Sequence, residues 1–356
     1  MGMSSFQNVK ISAVATTVPS KVMCIDDEIE QYGGSENQIK RIKKSIGLDK
    51  RHVVEKGQTT LDLAVHSAKG LIDGEKLSKE DIDGLIFVTQ TPDHQQPSNA
   101  AIAHGKLGLS NHVSSFDINL GCSGYVYGLW MAHMMISSGG HKKVLLLAGD
   151  TLSQTVNSRD RATAPLFGDA GSATLVEFDS EFKPASYFSL HTDGSGYESI
   201  IVPSGGARSP LDESSSEETC DENGNWKSPK DLHMNGGEVF NFAIKVEPAA
   251  VTEIIDYAKL SIDEIDYFIF HQANKYIISN IARRRKLPME KVPLETVSKY
   301  GNQSSASIPC TINDALNSPE GVSSKLLLSG FGVGLSWASA IIDFKNVKVS
   351  KVRIYE

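Results

Sequence analysis

Short apolar runs punctuate the chain, and between them lie longer segments with apolar residues three and four positions apart. The runs at 8–15, 84–90, 113–119, 143–149 and 172–178 predict strands, as do those at 186–192, 265–270, 325–330 and 337–344. Helical periodicity covers 59–73, 98–107, 123–138, 238–258, 275–286 and 305–317. Strands separated by helices of about 10–15 residues predict mixed or parallel sheets covered by helices. The polar, acidic and turn-rich segment 205–231 interrupts the pattern and reads as a mobile surface insertion.

The pattern occurs twice. LSKEDIDGLIF at 77–87 returns as LSIDEIDYFIF at 260–270, an offset of 183. KVLLLAG at 143–149 returns as KLLLSG at 325–330, an offset of 182. GSATLVEF at 171–178 resembles LSWASAIIDF at 335–344. Three matches in one order predict duplicated α/β halves, 1–180 and 181–356. Ser78 with Asp81, and Ser261 with Glu264, predict a capping box ahead of each repeated strand.

A length of 356 residues fits about two domains or one large α/β unit. With 40% hydrophobic and 22% charged residues the chain can bury a sizeable core, which excludes disorder as the main state. Lys and Arg number 35 against 43 Asp and Glu, and the net charge of −8 argues against general nucleic-acid binding. The four cysteines, Cys24, Cys122, Cys220 and Cys310, lack CxxC spacing and form no disulfide framework, so a reducing, cytoplasmic setting is expected. No secretory signal, no run of about 18 apolar residues and no metal constellation is evident. Phe6 stands where N-myristoylation wants Ser or Thr.

One cysteine stands apart. An apolar strand ends near Asn119, Gly121 allows a tight turn and an amphipathic helix follows, which puts Cys122 at a helix N-terminus. Unpaired N–H groups and the helix dipole there favour a thiolate. The plain alternative is a buried, inert cysteine. His271 follows the repeated strand in YFIFHQAN, at a strand end and in the half opposite Cys122. Asn302 lies in a Gly-Asn turn, KYGNQSSASIP. The turn Gly330-Phe331-Gly332-Val333-Gly334 offers backbone N–H groups to an oxyanion. It is not G-x-G-x-x-G at a helix start, so a dinucleotide site is not indicated.

The Gly-Cys-Ser at Cys122, HQAN from His271, YGN with Asn302 and the GFGVG turn together resemble the β-ketoacyl-acyl-carrier-protein synthase III family of the thiolase superfamily. FGDAGSA at 167–173 and LHMNGGEVF at 232–240 extend the likeness along nearly the whole chain. The resemblance implies an α/β fold, a thiolase-like duplicated five-layer αβαβα sandwich, in a homodimer. It implies that Cys122 takes an acyl group from an acyl-CoA thioester, with the Cys122 and Val333 backbone N–H groups as oxyanion hole. Decarboxylative condensation with malonyl-acyl-carrier-protein follows, in fatty-acid or related secondary-metabolite biosynthesis. His271 and Asn302 would donate hydrogen bonds to the enolate; an Asn has no proton to transfer at neutral pH and acts as donor, not base. No cofactor beyond these substrates is implied. Two alternatives differ in class. One is a non-decarboxylating acyltransferase of the same fold acting on an alcohol, amine or sugar. The other is a non-catalytic subunit of a hetero-oligomeric synthase.

Substrate positions depart from the family pattern. Where the family carries a Trp that stacks on the CoA adenine, this chain has a basic segment with Arg41 nearest; Arg161 keeps the family's adenine-facing Arg. Gln96 replaces the aromatic residue that closes the acyl pocket across the dimer, which implies a more polar acyl group. Asn274, within HQAN, is expected at the substrate. Tyr276 replaces an Arg that contacts the carrier protein. Lys275, Arg283 and Arg284 on the same helix are expected to steer an acidic carrier instead.

Overall fold

The structure, a computed structural model, describes residues 2–31 and 35–356. Eleven strands carry the fold: β1 (Met3–Phe6), β2 (Val9–Pro19), β3 (Gly84–Val88), β4 (Ser114–Ile118), β5 (Lys143–Asp150), β6 (Ala170–Phe178), β7 (Ser186–Thr192), β8 (Tyr267–Phe270), β9 (Ser318–Gly332), β10 (Ser336–Val349) and β11 (Arg353–Tyr355). The α-helices are α1 (Glu36–Ile46), α2 (Thr60–Gly74), α3 (Asn99–Leu107), α4 (Gly124–Ser137), α5 (Gly236–Ala258), α6 (Lys275–Arg284), α7 (Thr296–Tyr300) and α8 (Ser307–Ala315).

The strands make two five-stranded sheets joined at a seam. The first runs β4-β3-β5-β6-β2, with β11 along β2; the second runs β8-β9-β10-β7-β1. The seam is a short parallel pairing, Lys348 opposite Ala13 and Val349 opposite Val14. The repeat is visible in register. β3 lies parallel to β5 with Gly84 opposite Val144, and β8 lies parallel to β9 with Tyr267 opposite Leu326.

Successive residues of a strand face opposite ways, and here both faces are covered. Ile86 and Val88 of β3 enter one core with Leu326 and Leu328 of β9, while Leu85 and Phe87 enter another. The first core lies between the sheets and holds α4 (Tyr125, Leu129, Ala132) and α8 (Ile308, Ile312). The second packs α2 and α3 on the outside of the first sheet, and a third packs α5 and α6 on the outside of the second. The layer order is therefore αβαβα. Strands buried on both faces need apolar side chains on both, which explains runs such as VLLLA at 144–148.

Several elements lie outside the sequence expectation. Helix α1, ENQIKRIKKSI, is polar except for Ile39, Ile42 and Ile46, too thin a stripe to stand out. Strands β9 and β10 extend beyond 325–330 and 337–344, pairing Val322 with Val347 at the core between the sheets. Of the two expected capping pairs, only Ser261–Glu264 engages: Glu264 Oε2 accepts from the Ser261 N–H at 2.8 Å and from its Oγ at 3.0 Å. Ser78 makes no cap bond, because Asp81 turns to Lys143 at 3.3 Å. Segment 205–231 makes several contacts with the 157–160 region. Arg159 lies over the Trp226 ring at 4.3 Å, Lys227 pairs with Asp160 at 3.3 Å and Asn157 donates to Glu218 at 2.7 Å. Among the described residues no helix is long and apolar enough to cross a membrane.

Candidate active site

The C-terminal ends of β3, β4 and β8 and the far end of β9 meet at a cavity of about 490 Å³. Cys122, His271, Asn302 and Val333 line it, together with Gln90, Asn119, Asn274 and Ser304. Its remaining wall is largely apolar, including Leu166, Phe167, Ile200, Leu232, Met234 and Phe331.

β9 passes directly over the cysteine. A Cβ on Gly332 would lie 2.7 Å from Cys122 Sγ, and one on Gly330 would lie 2.6 Å from the Cys122 carbonyl oxygen. No side chain fits at either position, which gives the Gly-Phe-Gly sequence a physical reason. The backbone N–H groups of Cys122 and Val333 both bond toward the sulfur. Two such donors at the nucleophile are the arrangement a tetrahedral oxyanion requires.

Helix position alone does not set the charge of this sulfur. Helix α4 starts at Gly124 with Ser123 as N-cap, so Cys122 stands one residue ahead of the cap. Burial, and then the nearby Asp150 carboxylate, push the thiol up to about 11, against the hydrogen bonds of Val333, Ser304 and Cys122 itself. Desolvation disfavours the charged sulfur and outweighs the local donors.

His271 follows β8 directly and is buried, its backbone N–H donating to the Ser329 carbonyl at 2.8 Å. Its Nδ1 pairs with Ser307 Oγ at 2.6 Å, which leaves Nε2 for the cavity. Burial holds the imidazole down to about 3, so the ring is neutral at physiological pH. Asn302 is held by its backbone. Its N–H donates to the Leu166 carbonyl at 2.9 Å, and its carbonyl accepts from the Gly168 N–H at 3.1 Å. Its Oδ1 accepts the Ser304 N–H at 2.9 Å, which fixes the amide and leaves the Nδ2 hydrogens as donors.

Asp150, at the end of β5, ties this loop to the first sheet. Its Oδ1 accepts from the Gln90 N–H at 2.7 Å and Thr89 Oγ1 at 3.1 Å. Its Oδ2 accepts from Ser305 Oγ at 2.8 Å and the Ser305 N–H at 3.2 Å. Burial still raises this carboxyl above its ordinary value. The loop carrying Asn302 and Ser304 is thereby drawn to the strand ends around Cys122. Asp169 of FGDAGSA makes a second tie, accepting the Val54 N–H at 2.8 Å and the Ser153 N–H at 3.1 Å.

The other expected contacts are scattered. Asn274 lines the cavity and caps α6, its side chain accepting the Ile277 N–H at 2.8 Å. Arg41 and Arg161 are exposed and do not line the cavity, although Ile46 of α1 and Ala162 do. Gln96 is exposed and also outside this chain's lining. Lys275 pairs with Glu295 at 2.5 Å, and Tyr276, exposed, stacks on Phe240 with ring centres 5.6 Å apart. Arg283 is exposed. Arg284, also exposed, completes a helix. Pro248 lacks the N–H that would bond the Ile244 carbonyl within α5, and Arg284 Nη1 supplies that bond at 2.9 Å. Gln90, Asn119, Asp150 and Ser304 escaped the sequence reading. Among the described residues no three His, Cys, Asp or Glu side chains gather as a metal site.

Comparison with known proteins agrees with this geometry. Residues 116–194 match the family model of 3-oxoacyl-[acyl-carrier-protein] synthase III, and residues 255–344 match the model of its C-terminal part. A β-ketoacyl-[acyl-carrier-protein] synthase III of Caldanaerobacter subterraneus is 37% identical over 304 residues, covering 84% of this chain and 88% of that protein. The corresponding protein of Campylobacter curvus is 36% identical over 336 residues, 93% of this chain and 96% of its own length. The crystal structure of a 3-oxoacyl-(acyl-carrier protein) synthase from Burkholderia xenovorans superposes with a TM-score of 0.92 at 36% identity, covering 99% of both chains. A duplicated αβαβα sandwich with cysteine, histidine and asparagine at one cavity, and relatives matched over nearly their whole length, place this chain in the β-ketoacyl-acyl-carrier-protein synthase III family.

Proposed function

We propose that the chain condenses an acyl group with a malonyl unit through an acyl-enzyme at Cys122, taking the acyl group from acyl-CoA and the malonyl group from acyl carrier protein. The observation that carries this reading is the shared cavity, where Cys122, two backbone donors, His271 and Asn302 come together from both halves of the chain. In the first half-reaction the sulfur bonds to the thioester carbonyl, and the tetrahedral O⁻ meets the N–H groups of Cys122 and Val333. The thioester C–S bond then breaks, and the cysteine's proton ends on the departing CoA thiol. In the second, the malonyl C–C bond breaks, CO₂ leaves and the electron pair forms an enolate. His271 Nε2 and Asn302 Nδ2 donate to its oxygen. The enolate carbon attacks the acyl-Cys122 carbonyl, and Cys122 leaves as thiolate and regains a proton. These steps use the thiol and hydrogen-bond donors alone, so no cofactor beyond the two substrates belongs to the proposal.

A homodimer belongs to it as well. Strand β4 pairs with β3 on one side, and among the described residues its other edge has no partner strand. A second copy could continue the sheet there. A cytoplasmic setting is kept in the proposal on the cysteine pattern, with all four thiols free.

Intact-protein mass spectrometry with a panel of acyl-CoA thioesters tests the first half. A gain of one acyl mass is expected, abolished in Cys122→Ala. Release of CO₂ from malonyl-acyl-carrier-protein tests the second, and its absence from an acylated enzyme would favour plain acyl transfer instead.

A further inference from the structure

Polar selection at the acyl group was expected at Gln96, which the structure keeps outside this chain's cavity wall. Two other carboxamides stand beside the nucleophile. β3 and β4 are adjacent and parallel, with Val88 opposite Ile118. The chain segments that follow them leave the sheet side by side, the Thr89 N–H donating to the Ile118 carbonyl at 3.2 Å. Gln90 and Asn119 therefore enter the cavity from neighbouring strand ends, next to Cys122. The Gln90 backbone is fixed by its bond to Asp150 at 2.7 Å. Its Oε1 lies where a Cβ on Gly121 would collide with it, and Val333 Cγ1 lies 2.8 Å from the same point. The carboxamide is thus set against the residue before the nucleophile and against an oxyanion-hole residue.

Neither carboxamide is paired. Among the described residues no side chain or backbone group bonds the Gln90 or Asn119 amide. A plain alkyl chain pressed against them would strip water from these groups and return nothing, which is the costly case for a polar group. A hydroxyl both donates and accepts, and a carboxamide offers both partners.

We infer that Cys122 is loaded with a short hydroxyacyl group, its hydroxyl held by the carboxamides of Gln90 and Asn119. The inference rests on the reading of Cys122 as acyl acceptor. The loading step has the same balance as before: the Cys122 S–C bond forms, the CoA thioester C–S bond breaks and the thiol proton passes to CoA.

The test compares 3-hydroxybutyryl-CoA with butyryl-CoA, which differ by one hydroxyl, in timed intact-mass measurements of Cys122 acylation. The hydroxyacyl thioester should load about fivefold faster, the scale of one net hydrogen bond to a partly exposed carboxamide. Gln90→Met keeps the length of the side chain and removes its polarity, and should erase that preference. Asn119→Ala serves as the second variant and should reduce the preference as well. Equal or faster loading by butyryl-CoA in the wild type overturns the inference, as does a preference unchanged in both variants. Failure of every thioester, acetyl-CoA included, to load Cys122 overturns instead the acyl-enzyme reading beneath it.

Discussion

Two strand ends related by the repeat do opposite work. β5 ends at Asp150, a buried carboxylate with five donors, which binds the first sheet to the loop at Ser305. At the same place in the second half, 182 residues on, β9 has Gly332, bare so that Cys122 Sγ can lie beneath it. The neighbouring pair differs in the same way. β3 continues into Val88, sealed in the core, while its counterpart 183 residues on is His271, facing the cavity. A duplicated framework thus spends one copy of each strand end on holding the site together and leaves the other for chemistry.

The largest effect should come from filling the bare position. Gly332→Ala places a methyl 2.7 Å from the sulfur, inside van der Waals contact, and covers the Val333 donor. Acylation should fall at least about 100-fold, the scale of a lost oxyanion donor, with only a modest drop in melting temperature from the overpacked methyl. A variant that acylates normally would show that β9 does not press on the nucleophile as described.

Emptying the tie is expected to act on stability first. Asp150→Ala removes five hydrogen bonds to a buried carboxylate and should cost about 3 kcal/mol or more in urea unfolding. If stability held while acylation alone fell, Asp150 would belong with the reacting groups and the contrast between the halves would dissolve.

A smaller effect concerns a carboxyl inside the second half. Glu247 of α5 accepts from Ser329 Oγ at 2.6 Å, and burial raises it to about 8. An acid raised by folding holds its proton more tightly folded than unfolded. Its stabilising contribution is full below the ordinary value of 4.5 and is lost as pH climbs through about 8. Stability should therefore decline with rising pH across that window. Glu247→Gln should flatten the decline while changing stability by about 1 kcal/mol at pH 5. An unchanged slope would mean that the charge of Glu247 is not what the second half excludes.

Much of this was legible in the residues. Strands buried on both faces have nowhere to put polar side chains, so they announce themselves as apolar runs, and two copies of the same runs betray the duplication. Cys122, His271 and Asn302 were visible because each sits where a strand or turn ends. What escaped depends on tertiary approach. Nothing in AGDT or FVTQ shows that Asp150 and Gln90 will meet, although Asp150 sits where the repeat has Gly332. The surroundings of the thiol escaped for the same reason: a helix start is local and readable, whereas the burial that pushes Cys122 up to about 11 comes from elements distant in sequence. The bond of Arg284 escaped as well, because sequence shows its charge but not the carbonyl that Pro248 leaves open.

The central claim is that one half supplies the nucleophile and the other the enolate donors, and Asn302→Ala separates them. In one sample, Cys122 acylation would be followed by intact mass and CO₂ release from malonyl-acyl-carrier-protein would be timed. Acylation should match the wild type, while decarboxylation should slow by about 2–4 kcal/mol of barrier, the range for one lost donor to an oxyanion. Wild-type CO₂ release in that variant would contradict the division of labour.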